Sequence, residues 1–335
     1  MTLIRTSTGK QFESTTDESI LDAAMRAGVM IEHSCKVGRC GTCIAKVLEG
    51  ESSRLYREEA LTAQQTADGW ILACARTATG RQVEVEVDEL DAVLPPVRTY
   101  PCRIKSLDIL GRDVMRVILR LPPAQKLQYL PGQYVDVIAP GGLRRSYSIA
   151  NSSAGEDGIE LHVRKVEGGM MSQYWFQHAA ANDLLRLQGP RGTFFLRGAG
   201  GNHLVFLATG VGIAPIKSML GALGTDPQAA PLSVSLYWGT RSSDDLYWQP
   251  DNGAWPVDYT PVLSRADAGW AGERGYVQQA ALEKHADFSR TVVFACGSQD
   301  MISDSKRLFV EKGLDPKKFY YDAFVASDPK LGVPR

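Results

Sequence analysis

Cys35, Cys40, Cys43 and Cys74 stand at C-x4-C-x2-C spacing with a long gap to the fourth, the arrangement by which thiolates hold a 2Fe-2S cluster. Each iron takes two thiolates, so a loop carrying three of them must bend tightly and turn its amides toward sulfur. Gly38 and Gly41 supply that freedom. The fourth ligand must come from a segment that closes over the loop, and Ile71-Leu-Ala-Cys-Ala75 is a short apolar run suited to a buried strand end. The alternatives are ordinary buried cysteines or a zinc site built from paired C-x2-C units, of which only one is present. Four of the six cysteines fall into this pattern, with Cys102 and Cys296 far away. A disulfide framework does not suit a chain so long and cysteine-poor.

A second set of chemistry-bearing residues is Arg145-Ser-Tyr-Ser-Ile-Ala-Asn151. Strand alternation puts Arg145 and Tyr147 on one side and Ser146 and Ser148 on the other. A flavin wants an aromatic face for its ring, a donor near N5 and a guanidinium for its pyrophosphate, and Tyr147, Ser148 and Arg145 match these needs; an ordinary edge strand is the alternative. Further on, Glu167-Gly-Gly-Met-Met-Ser172 precedes a predicted helix through Tyr174, Trp175 and Phe176, either a phosphate site at exposed amides or a simple capped turn. The third signal is Leu204-Val-Phe-Leu-Ala-Thr-Gly-Val-Gly-Ile-Ala-Pro215. A buried strand there ends in Thr209-Gly210-x-Gly212, a helix begins near Pro215, and the two glycines let a pyrophosphate approach backbone. The full G-x-G-x-x-G form is lacking. Cys296, ending a later strand, has a thiol that could face the same crevice or simply fill core.

The elements that must position these residues change rhythm twice. Residues 1–92 read as a small mixed fold, with strands at 2–6, 11–13, 42–48 and 83–87 and a helix from Ser19 closed by Gly28. Asp91 to Pro96 is a stiff linker. Over 97–197 six short strands are predicted at 102–107, 113–121, 133–138, 145–150, 159–166 and 184–188, the pattern of a small antiparallel barrel. From 198 to 335 apolar strands at 204–208, 232–238, 292–295 and 319–323 alternate with helices from Ala214 and Asp300. That order implies a parallel sheet with ligands at the strand C-termini.

The net charge of -1 hides an asymmetry: residues 1–92 carry 15 acids and 10 bases, and the remainder 23 acids and 27 bases. An acidic cluster module on a mildly basic body would favour their mutual docking and could also steer the module toward a basic patch on an external acceptor; scattered solvated charge is the equal alternative. No basic stripe interleaved with aromatics points to nucleic acid. No long apolar run predicts a membrane span or export signal, and thiols that must stay reduced predict the cytoplasm.

Assembled, these segments resemble the three-part ferredoxin-NADP reductase-type oxidoreductases, in the order plant-type 2Fe-2S ferredoxin domain of β-grasp fold, six-stranded flavin barrel and α/β nucleotide-binding domain. Tyr100-Pro-Cys102, Leu130-Pro-Gly-Gln-Tyr134, Leu161-His-Val-Arg-Lys165, Gly189-Pro-Arg-Gly-Thr-Phe-Phe195, Tyr237-Trp-Gly239 and Asp322-Ala-Phe324 carry the likeness beside the motifs above. Within the group the chain looks most like the CDP-6-deoxy-delta-3,4-glucoseen reductases, although reductases of ring-hydroxylating dioxygenases share the architecture. The resemblance implies that Arg145, Tyr147, Ser148, His162, Gly169, Met170, Met171 and Ser172 line FAD. It implies that Thr209, Gly210, Gly212, Arg241 and Cys296 surround the nicotinamide nucleotide, and that Ser148, Cys296 and Phe324 stand at the reacting centre. Val211 departs from the threonine often found in the family's glycine loop.

The implied chemistry is a relay. A nicotinamide gives two electrons as hydride and a 2Fe-2S centre takes one at a time, so a flavin must stand between them. The implied acceptor is a deoxysugar dehydratase, with an oxygenase component as the alternative and a redox-sensing module without turnover as a third reading. Arg241, Ser242 and Ser243 suit the 2'-phosphate of NADPH, whereas Asp244 and Asp245 suit a ribose hydroxyl; the resemblance favours NADH.

Overall fold

The computed structural model describes residues 1–152, 158–224, 230–251, 253 and 255–324; the end of the third expected domain, 325–335, lies outside them. Residues 1–93, joined among the described residues by Asp322 to Phe324, form one compact unit, and Leu94–Tyr321 forms another.

The first unit holds β1 (Thr2–Thr6), β2 (Gln11–Ser14), α1 (Ile20–Arg26), β3 (Ile44–Arg54), α2 (Ala63–Ala67), β4 (Trp70–Leu72) and β5 (Arg76–Val87). Their sheet order is β2-β1-β5-β3-β4, with β1 and β5 parallel. Ser19 caps α1 by accepting from the Asp22 amide. The helix buries Ile20, Leu21, Ala23 and Ala24 against the sheet. Two strands run further than alternation predicts. The polar Glu49–Ser53 stretch of β3 pairs through bulges with the first half of β5, and a ribbon polar on both faces leaves no period-two signal.

The second unit contains two sheets. The first is antiparallel, formed by β6 (Arg98–Ile109), β7 (Val114–Arg120), β8 (Tyr134–Ile138), β9 (Arg144–Ser148), β10 (Ile159–Arg164) and β11 (Leu184–Arg191), in the order β10-β7-β6-β11-β8-β9. An Ile149–Leu161 bridge draws its ends together into a nearly closed barrel, filled by residues such as Val117, Val135, Val137, Leu161 and Trp175. Between β10 and β11 lies α3 (Met170–Gln173), followed by a wider π-helical turn, Tyr174–His178, where the sequence suggests one continuous helix.

The second sheet is built from β12 (His203–Thr209), α4 (Ile213–Leu220), β13 (Ser233–Thr240), β14 (Asp258–Leu263), β15 (Glu273–Arg274), α5 (Val277–Lys284), β16 (Thr291–Gly297), α6 (Gln299–Glu311) and β17 (Phe319–Ala323). Its order is β15-β14-β13-β12-β16-β17, with β15 through β16 parallel. Ser298 caps α6. β14, β15 and α5 are absent from the sequence expectation; β14 carries Pro261 in mid-strand, which normally argues against a central strand. The barrel sheet ends at Arg191 and the parallel sheet begins at His203, on either side of the expected 197/198 division.

Candidate functional site

The cluster loop lies between α1 and β3. Lys36, Gly38 and Gly41 all adopt positive φ there, at 58°, 77° and 81°. Gly38 is the constrained one: a Cβ would lie 2.3 Å from the Arg57 carbonyl oxygen, and its own carbonyl accepts from the Glu59 amide at 2.9 Å. Cys40, Cys43 and Cys74 are buried and Cys35 is half-buried. Cys74 sits in the turn between β4 and β5 rather than on a strand. The Ala73 amide donates to the Cys43 carbonyl at 2.9 Å, tying the fourth cysteine's segment to the third.

The four thiols fall into two pairs, Cys35 with Cys40 and Cys43 with Cys74, and the pairs lie within electrostatic reach of each other. The Cys40 thiol donates to Cys35, which with the Val37 and Arg39 amides holds the Cys35 pKa down at about 7. The donating thiols of Cys40 and Cys43 are pushed well up, first by those hydrogen bonds and then by burial. Four sulfurs grouped two by two, with amides turned toward one of them, fit a two-iron cluster that takes two thiolates per iron.

In the barrel, the register sets Arg145 opposite Val137 and Tyr147 opposite Val135, whereas Ser146 and Ser148 face Asp136 and Tyr134. The predicted alternation therefore holds. Tyr147 is anchored through its hydroxyl, which accepts from Trp175 Nε1 at 2.9 Å, and burial raises its pKa. Gly169 opens α3 without a side-chain cap. The methionines diverge: Met170 is 69% exposed, while Met171 packs into the barrel core. The Ser172 hydroxyl accepts from the Val166 amide at 2.9 Å, closing the glycine turn. An uncapped helix start beside a strand offering Arg145, Tyr147 and Ser148 fits a flavin with its phosphates.

Thr209 ends β12, and Gly210–Gly212 forms a single 3-10 turn into α4, whose first amides have no side-chain cap. The loop is held from two sides. Trp238 Nε1 donates to the Gly210 carbonyl at 2.9 Å, and the Ser298 amide donates to Thr209 Oγ1 at 3.0 Å. Gly212 has an ordinary helical φ of -60°, but a Cβ there would lie 2.2 Å from the Cys296 carbonyl oxygen. Glycine at 212 thus answers to the neighbouring strand, whereas the sequence reading ties it to a ligand. Cys296 is buried at the end of β16. Arg241 is exposed just past β13, two residues beyond the partner of Thr209. Asp245 accepts from the Ser242 hydroxyl and amide at 3.0 and 3.3 Å, closing its own turn, and Asp244 is exposed. Phe324, one residue past β17, is 40% exposed. A strand-end turn with uncapped amides fits a pyrophosphate.

Several polar residues around this site escape sequence reasoning. Arg164 on β10 is held by Asp113 at 2.9 Å, and its guanidinium lies 3.4 Å from where a Cβ on Gly210 would stand. Glu160, on the same face of the same strand, accepts from His162 Nε2 at 2.8 Å and from Lys217 Nζ at 2.9 Å. Burial raises the Glu160 pKa, but those two donors outweigh it and hold the carboxyl at about 2. His162 is buried and kept below its ordinary range, burial outweighing the nearby carboxylate. Its other nitrogen meets Tyr247 Oη at 3.1 Å. His162 is already singled out by the family resemblance; for Glu160 and Arg164 the only available signal was the polar alternation of 160, 162 and 164, which equally describes a solvated strand face.

Comparison with known proteins agrees with this geometry. A 2Fe-2S iron-sulfur cluster binding domain matches residues 4–79, an oxidoreductase FAD-binding domain 101–196 and an oxidoreductase NAD-binding domain 206–307. The CDP-6-deoxy-L-threo-D-glycero-4-hexulose-3-dehydrase reductase of Yersinia pestis is 42% identical, covering 94% of this chain and 96% of the relative. The aromatic O-demethylase reductase subunit of an Amycolatopsis species is 32% identical, covering 94% of this chain and 96% of that one. Among solved structures, the Amycolatopsis cytochrome P450 reductase GcoB superposes with a TM-score of 0.74 at 29% identity, covering 97% of this chain and 99% of that one. No helix among the described residues is long and apolar enough to cross a membrane. With paired thiols, a flavin-type barrel and a glycine turn on a parallel sheet in one polypeptide, the chain belongs to the ferredoxin-reductase-type oxidoreductases that carry 2Fe-2S, FAD-binding and NAD-binding domains in that order, and it is an electron-transferring enzyme.

Proposed function

We propose that this enzyme takes hydride from NADH and delivers single electrons to a cytoplasmic partner, a dehydratase acting on a CDP-6-deoxy sugar. The observation carrying the choice of partner is the 42% identity, over nearly the full length of both chains, to a CDP-6-deoxyhexulose dehydrase reductase. When bound, the flavin supplies the two-to-one electron conversion that links a hydride donor to a one-electron cluster.

The chain's own task is placement. Cys35, Cys40, Cys43 and Cys74 hold the cluster in a domain spanning 1–92. Within 97–197, Arg145 neutralises the flavin pyrophosphate, Tyr147 packs on the ring, and Ser148 offers a hydroxyl to it. His162 reaches FAD through its backbone, because both ring nitrogens are already bonded. Gly169, Met170, Met171 and Ser172 shape the phosphate turn. In 198–335, Thr209, Gly210 and Gly212 form the nucleotide turn, Arg241 faces the adenosine end, and Cys296 flanks the reacting ring. NADH is favoured over NADPH because Asp244, three residues after Arg241, is exposed, and its charge would repel a 2'-phosphate held by that turn.

The test is reconstitution. Purified enzyme with NADH should reduce a purified CDP-6-deoxyhexulose dehydrase during turnover, with kcat/KM for NADH at least about 10-fold above that for NADPH, a margin of 1.4 kcal/mol. Support of an aromatic oxygenase component but not the dehydrase would establish the second reading, which the Amycolatopsis demethylase reductase subunit favours. Failure of both nucleotides to drive ferricyanide reduction would leave the redox-sensing reading.

A further inference from the structure

Glu160 and His162 share one face of β10, and both end against the nucleotide-binding half of their compact unit. Glu160 accepts from Lys217 Nζ, in the second turn of α4. His162 bonds Tyr247 and meets its ring edge-on at 5.4 Å. Tyr247 in turn meets Trp238 edge-on at 5.1 Å, and Trp238 Nε1 donates to the Gly210 carbonyl. A continuous line of contacts therefore runs from a barrel strand to the first glycine of the nucleotide turn. A parallel tie lies beside it: Ser218 Oγ donates at 2.7 Å to the carbonyl of Asn151, the last residue of the Arg145–Asn151 segment.

The polarity of this line is determined. His162 Nε2 faces a carboxylate and so carries the proton. Nδ1 must then accept, and the Tyr247 hydroxyl donates. Apolar packing is non-directional and tolerates sliding, whereas each of these hydrogen bonds weakens steeply when bent or stretched. Inside a poorly hydrated interface such a network admits one register.

We propose that Glu160, Lys217, His162 and Tyr247 are positioning residues that hold the Gly210–Gly212 turn in register with the flavin strand, so that a polar seam sets the hydride-transfer geometry. The inference rests on the hydride-donor reading above. Loss of about 1 Å of register is expected to cost on the order of 10- to 100-fold in the transfer step while leaving ground-state affinity nearly unchanged.

Tyr247→Phe keeps the ring and removes the hydrogen bond; Lys217→Met removes the ion pair and Lys217→Arg retains it. In FAD-loaded enzyme, anaerobic flavin reduction at saturating NADH should fall about 10-fold or more in Tyr247→Phe and Lys217→Met, with a larger isotope effect from 4-deuterated NADH. The Kd for NAD+ should move less than about 3-fold, and Lys217→Arg should recover most of the rate. Without any nucleotide, amide exchange at residues 210–216 should quicken in the same two variants and not in Lys217→Arg. If a single variant fails to fold, Glu160→Gln with Lys217→Met removes both charges together. Unchanged reduction and exchange in folded variants overturns the proposal. A wild type reduced by neither NADH nor NADPH defeats the hydride-donor reading instead, and the exchange measurement still decides whether the seam holds the turn.

Discussion

Gly210 and Gly212 belong to one turn, yet replacing each with alanine should damage different steps. At Gly212 the backbone angle suits any residue, φ being -60°, so the whole penalty is steric. The new Cβ would lie 2.2 Å from the Cys296 carbonyl oxygen and 2.6 Å from its carbon, about 1 Å inside normal contact. Both neighbours are backbone, and β12 and β16 are paired from His203–Thr291 to Ala208–Cys296, so relief must come from lifting the turn. Overpacking of this kind costs about 1–3 kcal/mol, and a shift of about 1 Å at a reacting centre costs about 100-fold. At Gly210 the φ is +54° and the nearest obstacle is the flexible end of Arg164, 3.4 Å away. Alanine there should cost only about 1–2 kcal/mol for the left-handed backbone, with its main effect on nucleotide approach. Rapid-mixing flavin reduction across NADH concentrations, with urea unfolding alongside, separates the two. Gly212→Ala should lower the saturating rate, and Gly210→Ala should raise the apparent Kd. A Gly212→Ala enzyme with a saturating rate within about 2-fold of wild type and unchanged stability would refute the packing argument. A shift in Kd alone would return Gly212 to the role of a pyrophosphate contact.

Cys35→Ser should abolish transfer to cluster-dependent acceptors while NADH still reduces the flavin at about the wild-type rate; loss of both in a folded protein would sink the division of labour. Gly38→Ala places a side chain at φ +77° and 2.3 Å from the Arg57 carbonyl, so iron and sulfide per chain should fall, with a stability loss of at least about 1–2 kcal/mol. Full cluster content at the wild-type unfolding midpoint would contradict this. Glu160 contributes to acid stability with a definite sign. Its pKa is depressed in the folded state to about 2 from an ordinary value near 4.3. The unfolded chain therefore binds the proton first, and the stabilisation, complete above about pH 5, drains away as pH falls toward 2. Allowing for solvent screening, about 1 kcal/mol should be lost by pH 3.5. Urea titrations at pH 6 and 3.5 should show that difference shrinking in Glu160→Gln, and an equal acid loss in both proteins would refute it.

Chemistry that depends on neighbours along the chain was legible in the sequence. Ligand spacing named Cys35, Cys40, Cys43 and Cys74, and apolar rhythm separated a mixed fold, an antiparallel barrel and a parallel sheet. Alternation at 145–148 gave the sidedness that the register of β9 on β8 bears out. Where a segment's pattern was not its own, the reading fell short. Pro261 hid β14, and the polar ribbon of β3 and β5 hid half its length, because pairing partners rather than local propensity stabilise both. Only the tertiary structure divided the thiols into Cys35–Cys40 and Cys43–Cys74 and assigned Gly212 to the backbone of Cys296. It alone joined Glu160 to Lys217 and His162 to Tyr247. These are contacts between residues 57 and 85 positions apart, and an interaction closed by folding leaves no periodicity or spacing in the chain that makes it.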